Sequence, residues 1–211
     1  MVKSINIHPF HSGIGGVLRH IIRKYNKIKS GGKYFLSGEC GGNHNLPLFI
    51  RNDTNDTTGN ATELCNVDAI IKTSDAIGII IEIEESGYLP TKICGKYLTS
   101  NLAKYYQYKK IDYIPFDSLN ISFIQIIDMR KQSKEKEEQF RHIEKAIKNL
   151  INVAEKGGFE HGCIKEYNIV LINAKKINGL MEINNEIDEN EYNKTKEYAE
   201  LINIIEAKLG I

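Results

Sequence analysis

NVDAIIKTSDAIGIIIEIEES, residues 66–86, sets two demands against each other. Residues 77–81 hold four isoleucines, a density that belongs to a buried strand. Glu82 and Glu84 then follow at alternate positions, and Asp68 stands a short way upstream. The spacing predicts an antiparallel hairpin of strands 66–72 and 78–84, with its turn centred on Asp75. Asp68 then faces Glu82. Side chains alternate along a strand, so Ile70, Ile80 and Glu84 share that face. Ala69, Ile71, Ile79, Ile81 and Ile83 share the other and make a core set. Glu85 falls on this second face and is set aside.

Facing side chains lie about 5 Å apart, and like charges placed so close destabilise a hairpin. Either one carboxyl protonates or a cation binds. Converging carboxylates beside a backbone carbonyl suit a hard divalent ion such as Mg²⁺, and Ile83 is placed to offer that carbonyl. Such an ion serves phosphodiester hydrolysis, where it polarises the phosphoryl oxygen and lowers the pKa of a water. The competing reading is an edge hairpin with its acids in solvent.

The pattern VDAII, turn, IIIEIEES, helix, strand resembles the PD-(D/E)xK nuclease superfamily, in the form of a type II restriction endonuclease. The likeness covers roughly residues 63–130, about a third of the chain. It implies a restriction-endonuclease-like core with a catalytic β-hairpin in a mixed sheet flanked by helices. It also implies Mg²⁺ (or Mn²⁺) as cofactor, duplex DNA as substrate and a homodimer cutting both strands. Asp68 takes the place of the first acid and Glu82 that of the second. Glu84 occupies the lysine position, and Val67 stands where the family has proline. Glu84 is then either a general base or a second ligand. Lys92 and Lys96 on the following helix read first as a solvated face or phosphate contacts, and second as the missing positive charge. Glu39, beside a glycine turn, is the candidate for an additional metal-binding acid and is preferred to Glu63.

Around this core the chain reads as an α/β domain. Helices are expected over residues 14–28, 90–106, 134–155 and 190–209, with Pro90 at a first turn and Gly157 and Gly158 stopping the third. Further strands are expected at KYFLS, ISFIQIIDM (121–129, central) and YNIVLIN. IDYIPFDS reads as a connection. The organisation expected is one nuclease domain over 1–211, with a basic helical segment at 1–33, the catalytic core at 63–130, and helices and a strand over 131–211.

Net charge is only +1, yet residues 1–33 carry seven Lys or Arg and no acid. Arg19, Arg23, Lys24 and Lys27 are candidates for tracking DNA phosphates, as are Lys109 and Lys110 in KYYQYKK. No apolar run is long enough to span a membrane, no signal-peptide pattern opens the chain, and the cysteines are scattered. A cytoplasmic protein is expected. His8, His11 and His44 show no ligand spacing and read as plain polar residues. GIGG at 13–16 lacks the features of a phosphate loop and reads as a flexible helix start. Two rival functions remain open: a structure-specific repair nuclease or junction resolvase, and a non-catalytic binding domain on the same scaffold.

Overall fold

The computed structural model describes residues 9–28, 35–37, 46–50, 62–72, 77–108, 112–116, 121–158, 162–173 and 196–209. Its elements run α1 (Pro9–Ile28), β1 (Phe35–Ser37), β2 (Leu46–Phe49), β3 (Glu63–Val67), β4 (Ala69–Lys72) and β5 (Ile77–Glu84). Then follow α2 (Pro90–Leu102), β6 (Tyr105–Tyr108), β7 (Asp112–Pro115), β8 (Ile121–Asp128), α3 (Lys134–Gly157), β9 (Ile164–Ile172) and α4 (Lys196–Leu209).

A five-stranded sheet has the order β1-β4-β5-β8-β9. The β1–β4 and β4–β5 pairs are antiparallel, whereas β5–β8 and β8–β9 are parallel. The fold is therefore mixed α/β, a mixed sheet flanked by helices. The two faces expected of the isoleucine strand are both core faces. Ile70 and Ile80 pack with Ile93 and Tyr97 of α2 and Phe140, Ile147 and Ile151 of α3. Ala69, Ile71, Ile79, Ile81 and Ile83 pack with α1 and α4. Sheltering the sheet on both sides explains why β8 is buried along its whole length, as expected of a central strand.

Three expectations are corrected. The stretch 66–72 is not one strand: β3 ends at Val67, β4 begins at Ala69, and the two belong to different sheets. The second sheet, β3-β2-β6-β7, is antiparallel and absorbs KYYQY and DYIP, read from sequence as a helix end and a connection. Helix α2 accordingly stops at Leu102, and Leu98 and Leu102 are exposed, so its buried stripe is Ile93 and Tyr97. Helix α1 starts earlier than expected, and Gly13, Gly15 and Gly16 lie inside it, buried.

Helix α3 is delimited as its sequence suggests. Ser133 caps its first turn by accepting from Lys136 N–H, and Gly158 closes it at φ 67°. Among the described residues no helix is long and apolar enough to cross a membrane. Among the described residues β9 ends the large sheet, and its Ile169 bonds outward to α3. The Ile169 N–H donates to Glu144 Oε1 at 3.1 Å, and its carbonyl accepts from Arg141 Nη1 at 2.9 Å.

The entry to β9 is locked to the end of α2. Cys163 N–H donates to the Asn101 carbonyl, Ile164 N–H donates to Asn101 Oδ1 at 2.9 Å, and Gly162 sits between at φ 106°. A Cβ at Gly162 would run into the Asn101 backbone carbonyl. Gly162→Ala is expected to cost about 3 kcal/mol, combining a strained φ with that clash. Urea unfolding reads this as a lower midpoint at unchanged slope; an unchanged midpoint would refute the lock.

Candidate functional site

The site forms where β4 parts from β5. The hairpin register is the one expected: Ala69 pairs with Ile81, Ile70 with Ile80 and Ile71 with Ile79, shifting only toward Lys72 and Ile77. Pairing stops at Ala69 because the chain turns into the other sheet. Asp68 stands at that corner, and its Oδ2 accepts the Ile83 N–H at 2.7 Å, a donor β4 would otherwise engage. A strand residue's N–H and C=O leave on the same side, so the Ile83 carbonyl is directed toward this gap as well.

Glu82 and Glu84 are each only 1% exposed. Burying a carboxylate costs several kcal/mol unless a partner compensates. The partner comes from α2. Lys96 Nζ lies 2.5 Å from Glu82 Oε2 and 3.0 Å from Glu84 Oε1, and Lys92 Nζ lies 2.7 Å from Glu84 Oε2. The two lysines are one helical turn apart and reach down the same flank, which the buried Ile93 and Tyr97 fix against the sheet. Both therefore serve the acidic cluster; the reading that weighted a solvated face is corrected for Lys96, which is about a quarter exposed. Glu84 is held by two ammonium groups.

Compensation is incomplete. Burial pushes the Glu82 carboxyl well above its ordinary value of 4.5; Lys96 pulls it back, and the neighbouring Asp68 carboxylate raises it. Burial alone would lower Lys96, but Glu82, then Glu84 and Asp68, hold its pKa above the usual lysine range. Glu82 Oε1 and Glu84 Oε1 are buried without a hydrogen-bond partner. Glu84 Oε1 is within ion-pair distance of Lys96 but not in hydrogen-bonding geometry. Gln125, the β8 residue in register with Glu82, is fully buried. Its Oε1 accepts from Tyr167, and its Nε2 has no partner.

Glu85 alternates to the opposite face, as expected, and meets the first turn of α1 there. Its Oε2 lies 3.0 Å from His11 Nδ1, and its Oε1 accepts Phe10 N–H at 3.4 Å. His11 Nε2 lies 3.9 Å from Asp68 Oδ2. The corner at Asp68 is thus reached from both faces of the sheet, and His11 belongs to the cluster that sequence spacing had left it out of. The signal available was Pro9, a first-turn residue, which moves the helix start ahead of His11.

Beyond the ends of the parallel strands, Asp128 Oδ1 and Oδ2 hold Arg130 Nε and Nη2 at 2.8 and 2.6 Å. Tyr88 donates to the Glu85 carbonyl at 2.6 Å, and burial, with the nearby Asp128 and Glu85 charges, pushes its pKa up to about 12. Open α/β sheets place ligands at this carboxyl end of the strands.

The other expected residues lie apart. Arg23 and Lys24 are exposed and Arg19 is half-buried on α1, where Arg23 stands about 18 Å along the helix from His11. Glu39, Lys109 and Lys110 lie outside the described residues, as does the side chain of Lys27. Among the described residues no three His, Cys, Asp or Glu side chains are arranged to enclose a cation. The oxygen donors at this corner that could hold a hard divalent ion are Asp68, the Ile83 carbonyl and Glu82, whose Oε1 is buried without a hydrogen-bond partner. No family model matches the chain, and neither does any curated protein or solved structure.

Proposed function

We propose that the chain is a Mg²⁺-dependent endonuclease that hydrolyses phosphodiester bonds of duplex DNA in the manner of a type II restriction enzyme. The observation that carries this reading is the convergence of Asp68, Glu82 and Lys96 at the corner where β4 leaves β5. This is the acid, acid and base set of the PD-(D/E)xK pattern, with the lysine supplied by α2 and the third motif position filled by Glu84. Asp68, Glu82 and the Ile83 carbonyl would hold the ion. When bound, it polarises the scissile phosphoryl group and acidifies an attacking water. Lys96 stands where it can orient that water and stabilise charge developing on phosphate. Glu84, tied to Lys92 and Lys96, keeps both ammonium groups aimed at the cluster. Arg23 and Lys24 offer backbone contacts.

One observation favours a second reading. Lys96 already neutralises part of the acid cluster, so a non-catalytic domain with a buried ion network would look alike. Plasmid DNA incubated with the protein separates the cases. Discrete fragments that need Mg²⁺ and disappear in EDTA are expected. A Mg²⁺-dependent smear, or a preference for branched DNA, would move the reading to a structure-specific nuclease. No cleavage with any divalent ion would leave the binding domain.

A further inference from the structure

Arg130 stands just past the end of β8 and is held more firmly than the local turn requires. Its Nε and Nη2 donate to Asp128 Oδ1 and Oδ2 at 2.8 and 2.6 Å. Its guanidinium carbon lies 5.6 Å from the centre of the Phe10 ring, in cation–π contact. The turn out of β8 does not need that side chain: the Arg130 backbone N–H already closes it by donating to Asp128 Oδ1 at 3.0 Å. A partly exposed ion pair adds little stability of its own, and the Arg130 side chain is 24% exposed.

The geometry leaves the guanidinium a second use. Asp128 takes its side edge, Nε with Nη2. The Nη1 hydrogens and the outer Nη2 hydrogen remain at the tip, where they can bind two oxygens of a phosphate as a second fork. The place suits a nucleic-acid strand. Phe10, on which the guanidinium rests, donates its N–H to Glu85, and Glu85 meets His11, which faces Asp68. Arg130 thus flanks the acid corner from the α1 side, whereas Lys92 and Lys96 approach it from α2. Lys136 Nζ, 2.9 Å from the Tyr88 carbonyl, and Lys92 Nζ, 3.2 Å from the Ser86 carbonyl, add positive charge along the loop between β5 and α2.

We propose that Arg130 binds the DNA phosphate next to the scissile one, its guanidinium aimed by Asp128 and Phe10. This rests on the nuclease reading and names the group that holds the neighbouring phosphate. The contact touches no base, so it serves every sequence alike.

The test is binding without cleavage. A short labelled DNA duplex of arbitrary sequence is titrated with the full chain, in Ca²⁺ and over a series of NaCl concentrations, and fluorescence anisotropy is read. Arg130→Gln is expected to weaken binding about tenfold and to lower the slope of log affinity against log salt by about one. Arg130→Lys keeps the charge but loses the fork, so it should restore the slope and only part of the affinity. It also serves if Arg130→Gln does not fold, and native affinity in Arg130→Lys would overturn the proposal. Lys148→Gln removes a positive charge further along α3, beside Glu144, and should leave the slope as in the native protein. Native affinity and slope in Arg130→Gln would overturn the contact. So would weaker binding at an unchanged slope, the mark of a disturbed turn alone, or an equal drop in slope in Lys148→Gln, the mark of net charge. In each of these cases the native chain binds DNA and the nuclease reading stands. No DNA binding by the native chain at any salt concentration would overturn both.

Discussion

Glu82→Gln is expected to lower Mg²⁺-dependent cleavage by at least about 10³-fold, roughly 4 kcal/mol of transition-state stabilisation. The fold should survive. Glutamine matches the shape of the side chain, and the charge it removes is one that burial already opposes. Lys96 would keep Glu84 as a partner at 3.0 Å. Stability is therefore expected to change by less than about 1 kcal/mol, since a buried charge gives way to a neutral group. Single-turnover cleavage under saturating Mg²⁺, alongside a thermal melt, checks both halves. Activity within tenfold of the native protein would remove Glu82 from the chemistry and with it the proposed site.

Lys96→Met should act on stability as strongly as Glu82→Gln acts on rate. It leaves two carboxylates that are 1% exposed with Lys92 as their remaining cation among the described residues, and breaking a buried ion pair from one side costs about 3–5 kcal/mol. Lys96 is about a quarter exposed, so the lower end applies. The loss should depend on pH. Glu82 already has its folded pKa raised above 4.5, and losing Lys96 raises it further. A group raised in this way favours the folded state below its unfolded value and gives up that contribution as pH rises through the folded one. The variant's deficit should thus be small near pH 5 and full, about 3 kcal/mol, near pH 8. Urea unfolding at both pH values gives the answer. An equal deficit at each would mean that Lys96 stabilises by packing and not by charge.

The acid hairpin was legible because alternation carries it. Asp68, Glu82 and Glu84 fall on even positions with Ile70 and Ile80, the core set Ala69, Ile71, Ile79, Ile81 and Ile83 falls on odd ones, and the observed pairs from Ala69 onward follow. The break at Asp68 was not legible. ELCNVDAIIK has no glycine, proline or turn pair to mark it, and the division is settled by which sheet each half can join. The small sheet was hidden for a related reason: its strands are four or five residues long, and although β6 and β7 are neighbours in sequence, β2 must find β3 and β6 across longer separations. Short strands are set by context more than by intrinsic preference. Lys96 was half legible. Once Ile93 and Tyr97 are taken as the buried stripe, the positions just before them fall on the rim of α2, toward the strand ends. What no local pattern gives is which strand that rim meets. His11 was missed because the histidines show no ligand spacing and the helix was expected to begin only at Ile14.

The two bonds that α3 makes to Ile169 have a consequence for how the protein keeps company with itself. An unguarded edge strand is a template on which any extended chain can crystallise, the first step of aggregation. Here the template is interrupted at its middle. A strand laid along β9 would have to displace Glu144 and Arg141 together before its ladder could run past Ile169. The helix that covers one face of the sheet thereby also serves as its selvage, the finished border that keeps the weave from extending.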